Sequence, residues 1–222
     1  ECPKAQIAAL PTRAIEVSPL ERPETPRVLT TLGVKDQYVT LSYCWGSQQE
    51  YVLTSDNLQS CERGLEISKL SRTIADAIKV TKSLGFKYLW VDALCIIQDS
   101  ETSKTRELAI MNRIYEDASF TIVAASAACA NDGFLGARTG PQREIFRIPC
   151  RFSQDQFASV NIQEHEQYDD LREPVNKRAW TLQEQLLSPR LLIYASHTLQ
   201  WQCRTLTCNI GDSYHSPNLS SI

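Results

Sequence analysis

Apolar runs and segments with helical periodicity alternate through the first half of the chain. Residues 38–46 form an apolar run that ends in glycine, which indicates a strand followed by a loop. Residues 71–86 repeat their apolar positions at helical spacing, and Ser71 and Gly85 suit the start and the end of that helix. The near-continuous apolar run at 87–97 predicts a strand that is buried on both faces.

The same alternation continues over the next thirty or so residues. Residues 104–118 have helical periodicity, and residues 119–127 again read as a buried strand. The resulting order of strand, helix, strand, helix and strand is typical of a parallel sheet with right-handed crossovers. We therefore expect an α/β fold of three layers around a central, mainly parallel sheet.

The second half of the chain predicts smaller elements. Residues 143–163 favour an inserted β-hairpin, and a helix that contains Trp180 should stop near Ser188 and Pro189. Short strands follow near the C-terminal end. The expected organisation is a single domain over 1–222. It comprises a proline-rich N-terminal extension at 1–37 and a core at 38–203, and the whole is a piece of a longer protein.

The charge of the chain and the length of its apolar runs limit the classes of function that we expect. The 222 residues carry a net charge of −3, so the clustered positive face of a nucleic-acid-binding protein is not expected. The apolar run at 87–97 is too short to span a bilayer, which needs about 20 residues, so no membrane partner is expected.

The eight cysteines are scattered, and several lie in apolar segments, so buried reduced thiols are expected rather than disulfides. A zinc site requires closely paired ligands. Only Cys203 and Cys208 are close together, with His215 beyond them, and this spacing matches zinc sites poorly. The sequence therefore predicts no metal.

Candidate chemistry lies where the predicted strands end, because open parallel sheets bind ligands beyond the carboxyl ends of their strands. Three such ends are Tyr43-Cys44-Trp45-Gly46, Asp92, and Ser126 with its loop. Each also has a structural reading. Trp45 could fill the core, Gly46 could serve a turn, Asp92 could make a structural hydrogen bond or cap a helix, and Cys44 could be an inert buried thiol.

The helix at 178–187 raises a further question, because it carries leucines on more than one side and still contains an acid. A helix of this kind is usually buried. At about 100° per residue, Trp180 and Glu184 share one face, and Leu182 and Leu186 fall roughly opposite. An acid beside an indole should have a raised pKa unless a donor such as Arg178 compensates. The alternative is a helix glutamate in a structural ion pair.

Four blocks of the sequence carry a family resemblance. In chain order they are SYCWG, LWVDALCIIQD, RELAIMNRIYEDASFTIVAAS and RAWTLQEQLLSPRLLIY. Over residues 38–203 the chain resembles the heterokaryon incompatibility (HET) domain of filamentous fungi, with Ala179 where that family usually has glycine. The resemblance implies a cytoplasmic fungal protein of innate immunity. Such a protein triggers programmed cell death when different hyphae fuse, and it acts with an upstream incompatibility or receptor protein.

More distantly, the order of elements resembles TIR domains, which implies a flavodoxin-like fold. Their tryptophan-x-x-x-glutamate helix is similar to Trp180–Glu184, and their glutamate is the catalytic residue of NAD cleavage. The resemblance therefore implies an NAD glycohydrolase that self-associates when active, with Glu184 as the catalytic residue. NAD or a related nucleotide would be the substrate, and no separate cofactor is implied. The implied substrate-binding residues are Tyr43, Cys44, Trp45, Gly46, Asp92, Arg178 and Trp180.

The chemistry of NAD is compatible with a single carboxylate. Nicotinamide leaves a pyridinium cation as a neutral molecule, so the proton donor of an ordinary glycosidase is unnecessary. Glu184 would stabilise the charge that develops on the ribose, and an indole would stack on the pyridinium ring. Two alternatives stay open: a non-enzymatic signalling module that acts by self-association, and an enzyme that processes another nucleotide or nucleic acid.

Overall fold

The computed structural model describes residues 7–46, 49, 51–137, 145–151, 157–163, 170–196 and 198–210. It is a mixed α/β structure whose largest element is an eight-stranded sheet. The strands are β1 (Ala8–Ala9), β2 (Arg13–Glu16), β3 (Arg27–Thr30), β4 (Lys35–Asp36), β5 (Tyr38–Ser42), β6 (Tyr88–Trp90), β7 (Phe120–Val123), β8 (Ile145–Arg151), β9 (Phe157–Gln163), β10 (Arg190–Tyr194), β11 (Leu199–Cys203) and β12 (Leu206–Asn209).

The large sheet is parallel in its centre and antiparallel at both sides. Its order is β12-β11-β10-β7-β5-β6-β2-β3, and the pairs among β10, β7, β5 and β6 are parallel. The four outer pairs are antiparallel. The expectation of a mainly parallel sheet is therefore wrong beyond the central four strands. On the β10 side the reason is local, because β10, β11 and β12 follow one another through short connections, which can join only antiparallel neighbours.

Helices connect the parallel strands. They are α1 (Leu58–Arg63), α2 (Arg72–Ser83), α3 (Asp92–Cys95), α4 (Glu101–Glu116) and α5 (Ala179–Leu187), with 3₁₀ turns at Ile67–Lys69, Asp170–Arg172 and Pro174–Lys177. From β5 to β6 the chain moves one way along the sheet, and from β6 to β7 to β10 it moves the other way. Right-handed crossovers then place α2 on one face and α4 and α5 on the other. The packing of α4 against α5 agrees with this arrangement.

The segment expected as an N-terminal extension contributes to the main sheet. Its strand β2 pairs antiparallel with β6, and β3 pairs with β2 to complete that side. Ala14 and Ile15 of β2 are fully buried, so the segment also supplies core residues. The inserted hairpin is present as expected, and β8 pairs with β9 in a separate two-stranded sheet.

The run at 87–97 is only partly a strand. The strand ends at Trp90, and Asp92 begins α3 instead of lying inside the sheet. The Asp92 carboxylate accepts the N–H of Ala93 at 2.7 Å, and an acid in the first turn is favoured by the positive end of a helix. Asp92 therefore lies at the carboxyl edge of the parallel strands.

Strand β5 lies in the middle of the sheet, and all five of its residues are buried. Alternate side chains face the α4 and α5 layer. The Tyr38 hydroxyl donates to the Ile114 carbonyl at 2.8 Å, and the Ser42 hydroxyl donates to Glu184. Because Ser42 is the last residue of β5, this contact places α5 over the carboxyl end of the strand.

Candidate functional site

The first part of the candidate site is built where β5 and β6 end side by side. The loop Tyr43–Gly46 follows β5, and Asp92 follows β6 after one residue. The indole Nε1 of Trp45 donates to Asp92 Oδ2 at 2.8 Å, while Asp92 Oδ1 accepts the Ala93 N–H. The sequence-based expectation that these two strand ends meet at one rim is therefore confirmed.

Tyr43 links this rim to the loop beyond it. Its hydroxyl accepts a hydrogen bond from Gln49 Nε2 at 2.5 Å and bonds to Asp92. Burial, followed by the nearby Asp92 charge, holds the pKa of Tyr43 well above its usual range. Burial also raises the pKa of Asp92, although bonds from Trp45 and Ala93 and the charge of Arg178 offset part of that rise. Tyr43 is therefore a neutral phenol that supports a carboxylate.

Helix α5 supplies the second carboxylate. Glu184 is 4% exposed, and its Oε2 accepts a hydrogen bond from Ser42. Arg178, the residue just before α5, donates from Nη1 to the Tyr43 carbonyl, and its Nη2 lies 3.7 Å from Glu184 Oε1. Arg178 thus joins the loop after β5 to the acid on α5.

These contacts define one group of side chains, which we name the carboxyl-edge cluster. Two of its members are acids, one is a guanidinium, and the others are hydroxyl or indole donors. The members are Ser42, Tyr43, Trp45, Asp92, Arg178 and Glu184.

Burial is the largest influence on the pKa of Glu184, and it raises that pKa above its ordinary value. The charge of Arg178 and the bonds from Ser42 and Tyr115 lower it, and the charge of Asp92 raises it further. The net direction is upward. The carboxylate form of Glu184 is therefore less favourable in the folded protein than in the unfolded chain.

This direction makes stability depend on pH. A raised folded-state pKa stabilises the fold below the ordinary pKa of a glutamate, and the benefit is lost as pH rises through the folded-state pKa. Replacing Glu184 with glutamine removes that loss. We expect the free energy of unfolding of Glu184→Gln, relative to wild type, to rise across this window by at most about 1.4 kcal/mol per pH unit.

Urea unfolding of both proteins from pH 4 to pH 8 measures this difference. Asp92 is present in both proteins, and because the two acids repel each other, loss of the Glu184 charge lowers the pKa of Asp92 and changes the difference in the same direction. A difference that stays constant with pH, or that falls as pH rises, would contradict a raised pKa at Glu184.

The orientation of α5 differs from the expectation. Its buried residues, Thr181 and Glu184, are polar, and so is Ser188, which directly follows the helix. Leu182 and Leu186 are 67% and 70% exposed, so the helix is not buried on two sides. The sheet beneath α5 offers hydroxyl groups, since Ser188 Oγ bonds to Thr121 Oγ1 at 2.5 Å, and this selects the polar face for burial.

Trp180 does not join the carboxyl-edge cluster, and it is 57% exposed. Along α5, Ser188 lies over Thr121 of β7, and Glu184 lies over Ser42 at the end of β5. One further turn toward the helix start places Trp180 past the strand ends. The expectation that Trp180 lies beside Glu184 in a binding site stays a prediction, because ligands of such sheets bind beyond the strand ends.

The two cysteine thiols near the site have the properties of unreactive, buried thiols. Cys44 is buried, and burial raises its pKa even though Arg178 lies nearby. Cys95 is fully buried, and burial raises its pKa to about 12. Neither thiol has the lowered pKa that a reactive cysteine needs. Cys44 therefore contributes backbone to the loop after β5 rather than a nucleophile.

Gly46 ends that loop in a conformation that suits glycine. Its φ is +80°, and a Cβ at this position would lie 2.5 Å from Cys129 Cβ. Cys129 belongs to the turn after β7, where the Asp132 carboxylate accepts the N–H groups of Ala128 and Cys129 at 2.8 and 2.9 Å. The close approach fixes the loop after β5 against the turn after β7.

Sequence reasoning missed three residues of this region. Ser42 donates a hydrogen bond to Glu184, Tyr115 helps to lower the pKa of Glu184, and Gln49 donates a hydrogen bond to Tyr43. A signal existed for Ser42, because it is a polar residue at the last position of a strand whose side chains are all buried. Nothing in the sequence marks Tyr115 as part of the site, since a tyrosine on the inner face of a helix is usually predicted to be a core residue.

Nothing in the described part of the chain forms a metal centre, as no group of three His, Cys, Asp or Glu side chains converges there. Cys203 Sγ lies 3.3 Å from Thr205 Oγ1, and Cys208 is opposite Trp201 in the sheet. His215 lies outside the described residues. No helix in the described ranges combines the length and apolar character needed to cross a membrane.

Comparison with known proteins identifies one family. Curated proteins and solved structures give no match to the chain. A family model described as heterokaryon incompatibility protein (HET) matches residues 38–184, which include all six members of the carboxyl-edge cluster. Because this match covers more than half of the 222 residues, the chain belongs to the heterokaryon incompatibility (HET) family.

Proposed function

We propose that this HET domain causes cell death in fungal heterokaryon incompatibility by cleaving cytoplasmic NAD between nicotinamide and ribose. The observation that carries the proposal is the carboxyl-edge cluster. In it, the Glu184 carboxylate is held at the end of β5 with a second acid, Asp92, and one arginine. Perturbed acids that converge with a cation at such an edge are typical of active sites.

The position of the cluster in the sheet supports a ligand site. In chain order, the four parallel strands β6, β5, β7 and β10 lie as second, first, third and fourth. Flavodoxin-like sheets have this order, and they bind ligands where the strand order reverses, between the first and third strands. The contact of Glu184 with Ser42 lies at that point, beside β7. We therefore also propose a TIR-like, flavodoxin-like core.

The reaction needs one carboxylate. As the bond between ribose C1′ and the pyridinium nitrogen breaks, both electrons go to nicotinamide, and positive charge develops on the ribose. Glu184 stabilises that charge, and water then adds to C1′ and loses a proton to give ADP-ribose. Ser42 holds Oε2, and Oε1, which has the looser 3.7 Å contact with Arg178, is the oxygen that we assign to the ribose.

The other cluster members orient the substrate. Asp92 accepts from Trp45, which fixes the indole at the rim, and the Trp45 side chain is partly exposed. We assign to Trp45 the stacking on the pyridinium ring, worth about 0.5–2 kcal/mol. Trp180, which is 57% exposed one turn before Glu184, remains a proposed substrate contact at the same edge. Tyr43, Cys44 and Gly46 shape the loop that carries Trp45.

One observation favours a second candidate, a non-enzymatic signalling module that self-associates. Glu184 is 4% exposed and is already bonded to Ser42 and paired with Arg178, as a structural carboxylate would be. In that case Glu184 would stabilise the fold without touching a substrate. The two candidates differ in whether NAD is consumed.

The test is nicotinamide release from NAD by the purified protein, followed by chromatography at increasing protein concentration. The series is needed because we propose that the active form self-associates. We expect release to rise more steeply than protein concentration, and NADP, ATP, RNA and DNA in parallel samples define the substrate class. Unchanged NAD at the highest concentration, with the fold intact by circular dichroism, would favour the signalling module.

A further inference from the structure

Arg178 has two partners that it holds unequally. Its Nη1 donates a hydrogen bond to the Tyr43 carbonyl, but its Nη2 lies 3.7 Å from Glu184 Oε1, beyond hydrogen-bonding distance. A pair at this separation is a charge contact without the directional hydrogen bond that would fix the guanidinium in place. The contact between Arg178 and Glu184 therefore depends on charge alone, whereas Ser42 holds Glu184 by a hydrogen bond.

Arg178 is also the more exposed member of that pair. Its side chain is 25% exposed and that of Glu184 is 6% exposed. Ser42 binds Glu184 from the sheet side, through Oε2. A ligand that binds Oε1 therefore competes with the guanidinium for that oxygen.

We propose that Arg178 is an exchangeable latch, which closes Glu184 in the free protein and turns to a phosphate group when a nucleotide binds. This inference rests on the proposed function for the ligand class, because the ligand must carry both phosphate and ribose. The guanidinium fork matches a phosphate in bidentate geometry, and such charge-assisted bonds are stronger than a loose ion pair.

The exchange keeps charges paired. NAD carries a cationic pyridinium ring and an anionic pyrophosphate. As the guanidinium moves to the pyrophosphate, the pyridinium and the charge that develops on the ribose replace it beside Glu184. Binding energy from a part of the substrate that does not react is thereby used at the reacting centre. Arg178 is a positioning residue in this scheme, because it touches the substrate only at the phosphates.

Nicotinamide riboside, which has no phosphate, separates the latch from the chemistry. We expect added ADP to increase its cleavage several-fold in the wild type, because ADP supplies the missing phosphate in trans. Arg178→Gln should lose this stimulation and bind ADP roughly tenfold more weakly, as expected for the loss of a charge-assisted contact. Lys177→Gln is the matched control, since it removes an adjacent, exposed positive charge. We expect it to behave as the wild type.

A second readout needs no catalysis. Carbodiimide labelling of Glu184, measured by mass spectrometry of its peptide, should rise when ADP is added to the wild type. In Arg178→Gln labelling should be high without ADP. If that variant does not fold, Arg178→Lys serves instead, because a lysine keeps the charge without the fork, and it should lose most of the response to ADP.

The outcomes distinguish the two proposals. Labelling that ADP does not change would overturn the latch, even if the protein cleaves NAD. The latch would also be overturned by inhibition alone in the riboside assay, or by equal ADP affinity in Arg178→Gln and the wild type. In a third outcome, neither NAD nor nicotinamide riboside is cleaved, but ADP increases the labelling of Glu184 in the wild type and not in Arg178→Gln. The latch would then stand, and the proposed reaction would fail.

Discussion

Replacing Glu184 with glutamine should lower the rate of nicotinamide release from NAD by at least about 100-fold, with the fold retained. Glutamine has nearly the same shape and can still accept the hydrogen bond from Ser42 through its amide oxygen. It lacks the negative charge that stabilises the developing charge on the ribose. In fungal cells, expression of the variant should cause no cell death. The two measurements are nicotinamide release and colony survival.

Glu173→Gln is the matched control for this substitution. Glu173 is also a buried glutamate, and its Oε1 accepts from the backbone N–H and the hydroxyl of Ser196 at 2.9 and 2.6 Å. It lies outside the carboxyl-edge cluster, so we expect its variant to release nicotinamide within a few-fold of wild type. If Glu184→Gln keeps more than a tenth of the wild-type rate, Glu184 is not the catalytic residue.

Replacing Gly46 with alanine should destabilise the domain by about 2–5 kcal/mol. A left-handed backbone costs an alanine about 1–2 kcal/mol, and overlap with a packed neighbour costs about 1–3 kcal/mol more. Both apply at Gly46, where φ is +80° and the added Cβ would lie 2.5 Å from Cys129 Cβ. Urea unfolding measures the loss. The activity of the folded fraction should also fall, because Trp45 is the preceding residue.

Two variants separate strain from overlap. Gly33 has a φ of +82° and nothing within 4 Å of an added Cβ, so Gly33→Ala should cost only the strain, about 1–2 kcal/mol. Cys129→Gly removes the atom that Gly46→Ala would strike, so the double variant should cost less than the sum of the two single variants. Equal losses for Gly33→Ala and Gly46→Ala would contradict the contact with Cys129.

The central α/β pattern could be predicted because each element carries its own period. Strand β5 is a buried apolar run, and the helical stripe at 71–86 matches α2 with small differences at its ends. The pairing partners of the outer strands could not be predicted in the same way. Strand β2 has four residues, and it is a strand because it pairs with β6, more than seventy positions later. No local sequence pattern identifies a pairing partner at that distance along the chain.

The candidate site also has a part that local sequence patterns predict and a part that depends on contacts between distant residues. Asp92 and the loop after β5 could be placed together, because the carboxyl ends of adjacent parallel strands share one edge. Trp180 could not be placed, since helical spacing gives the angle around α5 but not the position of the helix along the sheet. The angle alone groups Trp180 with Glu184, but Glu184 is 4% exposed and Trp180 is 57% exposed. Ser42 decides that position, through a contact between residues 142 apart in the chain.

The pairing of β2 with β6 and of β10 with β7 determines which fragment of the chain can fold by itself. The stretch that matches the family ends at Glu184, within α5, and it contains neither β2 nor β10. In an excised 38–184 fragment, the three remaining parallel strands would lack their neighbours on both sides. Exposed strand edges of this kind favour aggregation. The shortest independently foldable unit that we expect extends from Arg13 to Asn209.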